Sequence, residues 1–432
     1  MNRLVNNASW LIGCKIVQNV LSFIISMMSA RYLGPSNYGL INYATSVIAF
    51  IIPFATLGLT NILVQEIISK PDEEGEILGT SLLTCVLTSL LGMGSAVLFT
   101  LVANPGEKET TMVVALYSTI LVAQALEMIQ YWFQAKLLSK YTAIVSLSSY
   151  VVVSAYKIYL LATEKSVYWF ALSYAIDSLI IAVLLLGFYK KLGGQKLTAS
   201  FKRIRAMFAK SRYYIISSLM VTLFTQMDKV MLKAMIDDVA TGIYSAATVC
   251  AGLSSFVFAA IIDSFRPVIF ENKKLSREAF ERSVKKLYSI VIYLSLAQCV
   301  AIMLLANIII CVTYGNEYAA AATTLRIATW YTTFSCLGMV RNIWILAENK
   351  QKYLWIINLS GALTNALLNS LLIPSMGSNG AAIASLITQM FTNVIMGVLV
   401  RPIHRNNRLM LEALNPKLLL EMAGQIKGGI RK

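Results

Sequence analysis

The chain has 432 residues, of which 57% are hydrophobic and only 13% charged, a balance foreign to a soluble globular domain. Its formal charge of +16 falls in alternate loops between apolar runs of about 20 residues, the length that crosses roughly 30 Å of hydrocarbon. The excess charge therefore reports membrane topology, and nucleic acid is excluded as the partner.

Apolar runs bounded by polar or Gly/Pro punctuation predict about twelve transmembrane helices, near residues 9–30, 39–61, 78–103, 112–135, 141–162, 167–189, 212–236, 241–270, 286–313, 319–347, 353–373 and 380–400. One Arg precedes the first run and no small-residue cleavage site follows a short core, so the first helix is expected to be retained. With the amino terminus cytoplasmic, inside segments hold twenty-seven of the 37 Lys and Arg, and outside segments hold three, Arg31, Lys108 and Lys165. Lys and Arg in short loops resist translocation, so both termini are expected in the cytoplasm.

The longest inside loop divides the chain into a six-helix lobe at 1–189, a cytoplasmic amphipathic linker at 190–211, and a second six-helix lobe at 212–403. In the linker Leu197, Phe201, Ile204 and Phe208 recur at helical spacing among Lys and Arg, which predicts a segment lying on anionic membrane lipids. A plain solvated basic loop is the alternative. The tail at 404–432 repeats the amphipathic pattern. YGLINYATSV at 38–47 resembles TGIYSAATVC at 241–250, a weak internal repeat in which each copy opens the second helix of its half. Such repeats are used by secondary transporters, whose substrate lies between the halves.

The six cysteines are spread singly through apolar segments and are expected to be packing residues. His404 neighbours Arg401 and Arg405 in a solvated charge cluster. No metal site and no cofactor are expected.

Eleven ionisable residues fall inside predicted spans: Lys15, Glu127, Lys157, Asp177, Asp228, Lys229, Lys233, Asp263, Arg266, Arg326 and Arg341. Each costs about 2.5 to 3.5 kcal/mol at mid-bilayer, so they face the bundle interior or water. Seven are cations and four are acids, and the surplus predicts an anionic cargo. Lys15 and Arg341 fall in the cytoplasmic third, and Lys157, Lys229 and Arg326 in the outer third. With Lys233 they are the candidate substrate-path cations around a central cationic cavity.

Lys229 and Lys233 share a helix face, whereas Asp228 points about 100° away and suits a clamp on a neighbouring helix. Lys15, Gln18, Asn19, Ser22, Ser26 and Ser29 share one face of the first helix, expected to line a water-filled lumen. Asn358, Asn365 and Asn369 form a similar stripe, for which interhelical hydrogen bonding is an equal reading. Arg266 and Asp263 sit near a helix end, where snorkelling and an i, i+3 pair also explain them. Asp177 is the candidate proton or cation site, with a salt bridge to Lys157 as the alternative.

ARYLGPSNYGLINYATSV (30–47), QMDKVMLKAMIDDVATGIYSAA (226–247), YGNEYAAAATTLRI (314–327) and NALLNSLLIPSMGSNGAAIAS (365–385) together resemble the Wzx-type polysaccharide flippases of the multidrug/oligosaccharidyl-lipid/polysaccharide exporter superfamily. The resemblance covers almost the whole chain. It implies a two-lobe, twelve-helix fold that moves undecaprenyl-pyrophosphate-linked oligosaccharide repeat units across the bacterial cytoplasmic membrane, for capsule, O-antigen or a similar glycan. No G-x-x-x-x-G-K-[ST] loop is present, so the energy source is expected to be an ion gradient (H+ or Na+), the membrane potential or removal of product outside, and not ATP hydrolysis; a polysaccharide polymerase is a candidate partner.

A multidrug/cation antiporter of the same superfamily is the alternative, but its lumen should favour acids. A membrane-embedded glycan polymerase would need a catalytic constellation on a sizeable loop, and no DxD, nucleophile or phosphate-binding loop is present.

In a cysteine-free background, single cysteines at residues 108 or 165 should react with an impermeant thiol reagent from outside intact cells. Cysteines at 202, 277 and 350 should be protected until the membrane is opened. Labelling of residue 202 in intact cells would overturn this topology.

Overall fold

The computed structural model describes residues 2–416, with side chains from residue 13 onward apart from Asn61. Residues 417–432 of the predicted tail lie outside the described residues. Eight described helices are long and apolar enough to cross a membrane, and a ninth arises if Asp238–Gly252 and Ser255–Leu275, bent by 40°, form one span. Two of the eight contain a glycine with non-helical backbone, Gly34 (φ 71°) and Gly377 (φ 54°), and so contribute two segments each. With Ala321–Ala347, twelve segments stand among the described residues, one for each predicted helix.

In chain order these are α1 (2–33), α2 (35–55), α3 (Glu74–Ala103), α4 (Lys108–Ala135), α5 (Ser139–Ala162), α6 (Val167–Lys191) and α7 (Phe201–Met235). The bent α8 (238–275), α9 (Arg277–Thr313), α10 (Ala321–Ala347), α11 (354–376) and α12 (378–399) follow, and a short helix α13 (His404–Glu412) ends the described chain. Among the described residues no strand occurs, as the bilayer requires of a chain that must satisfy its backbone within each span.

The breaks have local causes. Pro35 lacks an N–H, and Gly34 takes up the left-handed φ that separates α1 from α2. In α4 the hydroxyls of Ser118 and Thr119 donate to the carbonyls of Ala115 (2.7 Å) and Leu116 (2.6 Å), competing with the helical ladder where the span is interrupted. In α12 one turn, Phe391–Ile395, is a π-helix.

The chain forms two compact units that divide between Gly242 and Ile243. The first has two cores. One gathers Leu33, Tyr43, Ile48, Val113, Leu160 and Phe170, and the other Leu63, Ile67, Ile77, Trp132, Phe133, Tyr189 and Met207. In the second core Trp132 meets Tyr189 edge-on, with centroids 4.9 Å apart. The second unit packs Phe258, Phe280, Leu287, Tyr288, Trp344 and Leu409. Outward-facing Leu91, Val102 and Leu304 are about three-quarters exposed, as side chains in contact with lipid tails are. Five of the six cysteines are buried and free; Cys311 is exposed.

The basic segment 190–211 lies within the first unit and consists of two parts. Residues 194–200 carry no helix and are tied to the start of α3. The Gln195 amide accepts from Gly75 N (3.0 Å) and donates to Pro71 O (2.9 Å), and Ser200 N donates to Thr80 Oγ1 (3.0 Å). From Phe201 onward the segment is the beginning of α7, well before the predicted start at 212. There Arg203 bridges Glu73 (2.6 Å) and Glu76 (2.9 Å), Lys210 pairs with Glu66, and Met207 is buried. The chain continues helically because nothing between Phe201 and Arg212 breaks it.

Without a hydrophobic drive between helices in lipid, close approach depends on small residues. A Cβ on Gly39 of α2 would collide with the Asp238 carbonyl of α8, and one on Gly242 would collide with the Pro35 carbonyl. These two glycines are the matched second positions of the internal repeat. A Cβ on Gly94 would meet nothing. Gly39→Ala and Gly242→Ala should therefore each lower the thermal midpoint in detergent, by about 1 to 3 kcal/mol of overpacking. Gly94→Ala should raise it slightly, by up to about 1 kcal/mol of helix propensity. Equal effects at the three positions would refute the contact.

Candidate functional site

The polar face of α1 enters the first unit at a defined place. Lys15 and Asn19 are exposed and Gln18 half-buried, and the same stripe then sinks inward to a buried Ser29. Ser22, Ser26 and Ser29 line a cavity of about 130 Å³, closed on its other sides by α2, α5 and α6. Ser26 Oγ lies 3.2 Å from the hydroxyl of Tyr38.

Lys157 of α5 lines the same cavity, is only 9% exposed, and holds its ammonium 4.0 Å from the centroid of the Tyr174 ring. Asp177 of α6 also lines it, and its Oδ1 accepts from Ser149 at 2.6 Å. Ser149 and Lys157 stand eight residues apart on α5, roughly 12 Å of rise. The carboxylate and the ammonium are thus anchored at different levels of one cavity.

A second polar surface joins α2 to α7. Gln226, Lys229 and Lys233 recur at i, i+3 and i+7, and Asn42 and Ser46 recur at i and i+4, so each set occupies one face. Ser46 donates to Gln226 Oε1 (3.0 Å), and Lys229 donates to Asn42 Oδ1 (3.4 Å). Asp228, one residue around the helix, is buried. Lys233 is buried between two carboxylates, Glu107 (2.6 Å) and Asp238 (2.6 Å). Lys233, by hydrogen bond and by charge, holds the carboxyl of Glu107 below its ordinary range. Beside this group the hydroxyl of Tyr43 donates to Asn104 Oδ1 at 2.7 Å.

In the second unit Arg326 is half-buried on α10 and donates to Met303 O (3.3 Å) and Asn307 Oδ1 (3.2 Å) on α9. Arg341 is 5% exposed. It donates to Thr392 O (2.6 Å), within the π-helical turn of α12, and to Asn342 Oδ1 (3.1 Å), while its Nε is buried without a partner. Asn369 donates to Asn365 Oδ1 at 3.1 Å, and Asn365 to Ser385 Oγ at 3.5 Å, so this stripe makes hydrogen bonds inside the unit. Arg266 pairs with Asp263 at 2.9 Å and both are exposed.

Structure therefore brings Lys157 and Asp177 to one cavity with the α1 serines, sets Lys229 against Asn42 of α2, and holds Lys233 between Glu107 and Asp238. Glu107 and Asp238 escaped the sequence reading because they lie just beyond the predicted ends of spans. The cavity tyrosines escaped it because a tyrosine in an apolar run reads as packing. The usable signal was Lys233 followed by Asp238 across a short turn. No cluster of three or more His, Cys, Asp or Glu that would hold a metal occurs among the described residues.

The family described as polysaccharide biosynthesis protein matches residues 4–273. The chain is similar to the capsular polysaccharide biosynthesis protein CapF of Staphylococcus aureus, with 22% identity over 398 residues, 89% of this chain and 96% of that protein. Its structure resembles an inward-facing multidrug resistance MATE family transporter of the MOP superfamily, at TM-score 0.69 and 13% identity over 91% of this chain and 96% of that one. It also resembles the lipid II flippase MurJ in an inward closed conformation, at TM-score 0.69 and 15% identity over 95% of this chain and 91% of that one. The fold is accordingly the all-α membrane fold of the MOP superfamily.

The charge balance around Lys233 makes a prediction. Removing one partner of a buried pair strands the others, typically at about 3 kcal/mol or more. Lys233→Met should reduce the amount of folded protein in the membrane several-fold, and adding Glu107→Gln with Asp238→Asn should restore part of it. Unchanged abundance of Lys233→Met, measured by quantitative immunoblot, would contradict a structural role for this triad.

Proposed function

We propose, on the premise that the chain belongs to the polysaccharide biosynthesis protein family, that it is a flippase for lipid-linked glycan. In this reading it carries undecaprenyl-pyrophosphate-linked oligosaccharide repeat units from the inner to the outer leaflet of the cytoplasmic membrane by alternating access, for capsule, O-antigen or a related surface polysaccharide. Both termini are cytoplasmic in this scheme.

The observation that carries the reading is a set of intramembrane cations whose hydrogen-bond and ring partners are uncharged. Lys229 donates to an asparagine, Arg326 to an asparagine and a carbonyl, and Arg341 to an asparagine and a carbonyl, while Lys157 lies over a tyrosine ring. Charge held this way in low dielectric is costly, and an anionic cargo offsets the cost. A pyrophosphate joined to a sugar on one side and a lipid on the other is such a cargo. Lys15, exposed on α1, is the remaining cation of the proposed path. Lys233 belongs to the path only if its two carboxylates release it. Asp177 is the proposed site for a coupling proton or cation, since its carboxylate faces a cavity and has a serine as its hydrogen-bond donor.

Lys229→Ala, Arg326→Ala and Arg341→Ala should each leave membrane abundance near normal and slow delivery of surface glycan about tenfold, the loss of one charge-assisted hydrogen bond. Arg326→Lys and Arg341→Lys should fall between, because the planar fork is lost while the charge remains. Abundance and surface glycan are measured in parallel for each variant. Normal glycan at normal abundance for all three alanine variants would refute the cationic path.

A further inference from the structure

The cavity between α1, α2, α5 and α6 has a size and lining that select an occupant. At about 10–15 Å³ for each water-sized place, 130 Å³ holds roughly ten such places, close to the dozen or so heavy atoms of one hexose residue. Its wall is mixed: the α1 serines with Tyr38, Tyr150 and Tyr174 supply polar groups, and apolar side chains such as Ile25 and Val153 stand between them, as suits a sugar with hydroxyl edges and C–H faces. A hydroxyl both donates and accepts, which matches the hydroxyls of a sugar better than the acceptor-only oxygens of a pyrophosphate. Ser29 Oγ is buried in this lining without a partner. The ring of Phe170 offers an apolar patch for the C–H face of a sugar.

The charges refine the choice. Lys157 is buried, points its ammonium at the cavity, and has the Tyr174 ring as its neighbour instead of a hydrogen-bond acceptor. Asp177 faces the same space from another level, with one oxygen occupied by Ser149. A ring with an anionic group at one edge and hydroxyls at the other satisfies both ends: the anion takes the Lys157 ammonium and a ring hydroxyl donates to Asp177.

We propose that this cavity is a recognition site for one acidic sugar of the cargo glycan, a hexuronate-type residue whose carboxylate is held by Lys157. The inference rests on the chain carrying a glycan cargo and deepens that reading by assigning a substrate class and a subsite.

The test is ligand binding to the purified, detergent-solubilised full chain, followed by saturation-transfer NMR and calorimetry. Sodium glucuronate and sodium galacturonate are compared with glucose at matched ionic strength, and inorganic pyrophosphate is added as a competitor. At least one uronate should bind ten or more times more tightly than glucose. Lys157→Met should erase that difference, Lys157→Arg should keep part of it, and Asp177→Asn should weaken uronate and glucose alike. Ser29→Val, which fills the cavity and leaves the charges in place, should abolish uronate binding and keeps the test decisive if Lys157→Met does not fold.

Equal binding of uronate and glucose, absence of binding by either uronate, or a preference that survives Lys157→Met or Ser29→Val would each overturn the proposal. Displacement of uronate by pyrophosphate at comparable concentration would overturn it too, by assigning Lys157 to the phosphate. The assay involves no translocation. Its failure is therefore distinct from failure of the flippase reading, which is decided by surface glycan.

Discussion

In hydrocarbon there is no water to complete a hydrogen bond, so each polar group of a span must find its partner within the protein. Local geometry here follows that constraint. Hydroxyls along the helices turn back to the preceding turn: Ser81 to Ile77 O (2.8 Å), Thr100 to Ala96 O (2.9 Å), Thr329 to Leu325 O (2.9 Å) and Thr388 to Ala384 O (2.7 Å). Such groups need no second helix. Asparagine and glutamine side chains have both a donor and an acceptor, so Asn42 can donate to its own helix at Tyr38 O (2.9 Å) and still accept from Lys229, and others bind across helices, as Gln226 does to Ser46 and Asn365 to Ser385. Polar pairing of this kind, with glycine-mediated close approach, supplies specificity where apolar faces packed in lipid gain little from one another.

Charges meet the same constraint in two ways. Lys233 is compensated in full, with two carboxylates at 2.6 Å each. Arg341 is not, and the backbone adapts to it instead. Its guanidinium takes the carbonyl of Thr392, which lies in the π-helical turn of α12. A turn of i→i+5 bonding leaves a carbonyl outside the regular ladder, and such turns cluster at functional sites. The hydrogen-bond partners of Arg341 are neutral, so removing this arginine would strand no opposite charge, unlike removal of Lys233. The cations with neutral partners are consequently the ones that invite a functional account.

Helix number and order were legible in the amino-acid sequence because span length is set by bilayer thickness and loop charge is read almost without context. Every predicted span has a counterpart among the described residues. The ends were less legible. The start of α7 was hidden by its lysines and arginines, which suit a cytoplasmic linker and a solvated helix end equally well. Only its bonds to Glu66, Glu73 and Glu76 distinguish the two. The repeat at 38–47 and 241–250 was visible as similarity, while the reason for its shared glycine is a contact in three dimensions.

The site was less legible than the fold, for a related reason. A charge in an apolar run is conspicuous, so Lys157, Asp177, Lys229, Lys233, Arg326 and Arg341 all stood out. Their compensation is set by residues that are inconspicuous one by one: Glu107 at the end of a loop, Asp238 at the start of a helix, and serines and tyrosines scattered over α1, α2, α5 and α6. Periodicity placed the α1 serines on one face but left open what that face meets. The structure distinguishes Lys157 from Lys233, two buried lysines of equal prominence in the sequence, by their neighbours. Lys233 has its charge matched by two carboxylates in direct contact, and Lys157 has a ring and a cavity of mixed lining that it shares with Asp177.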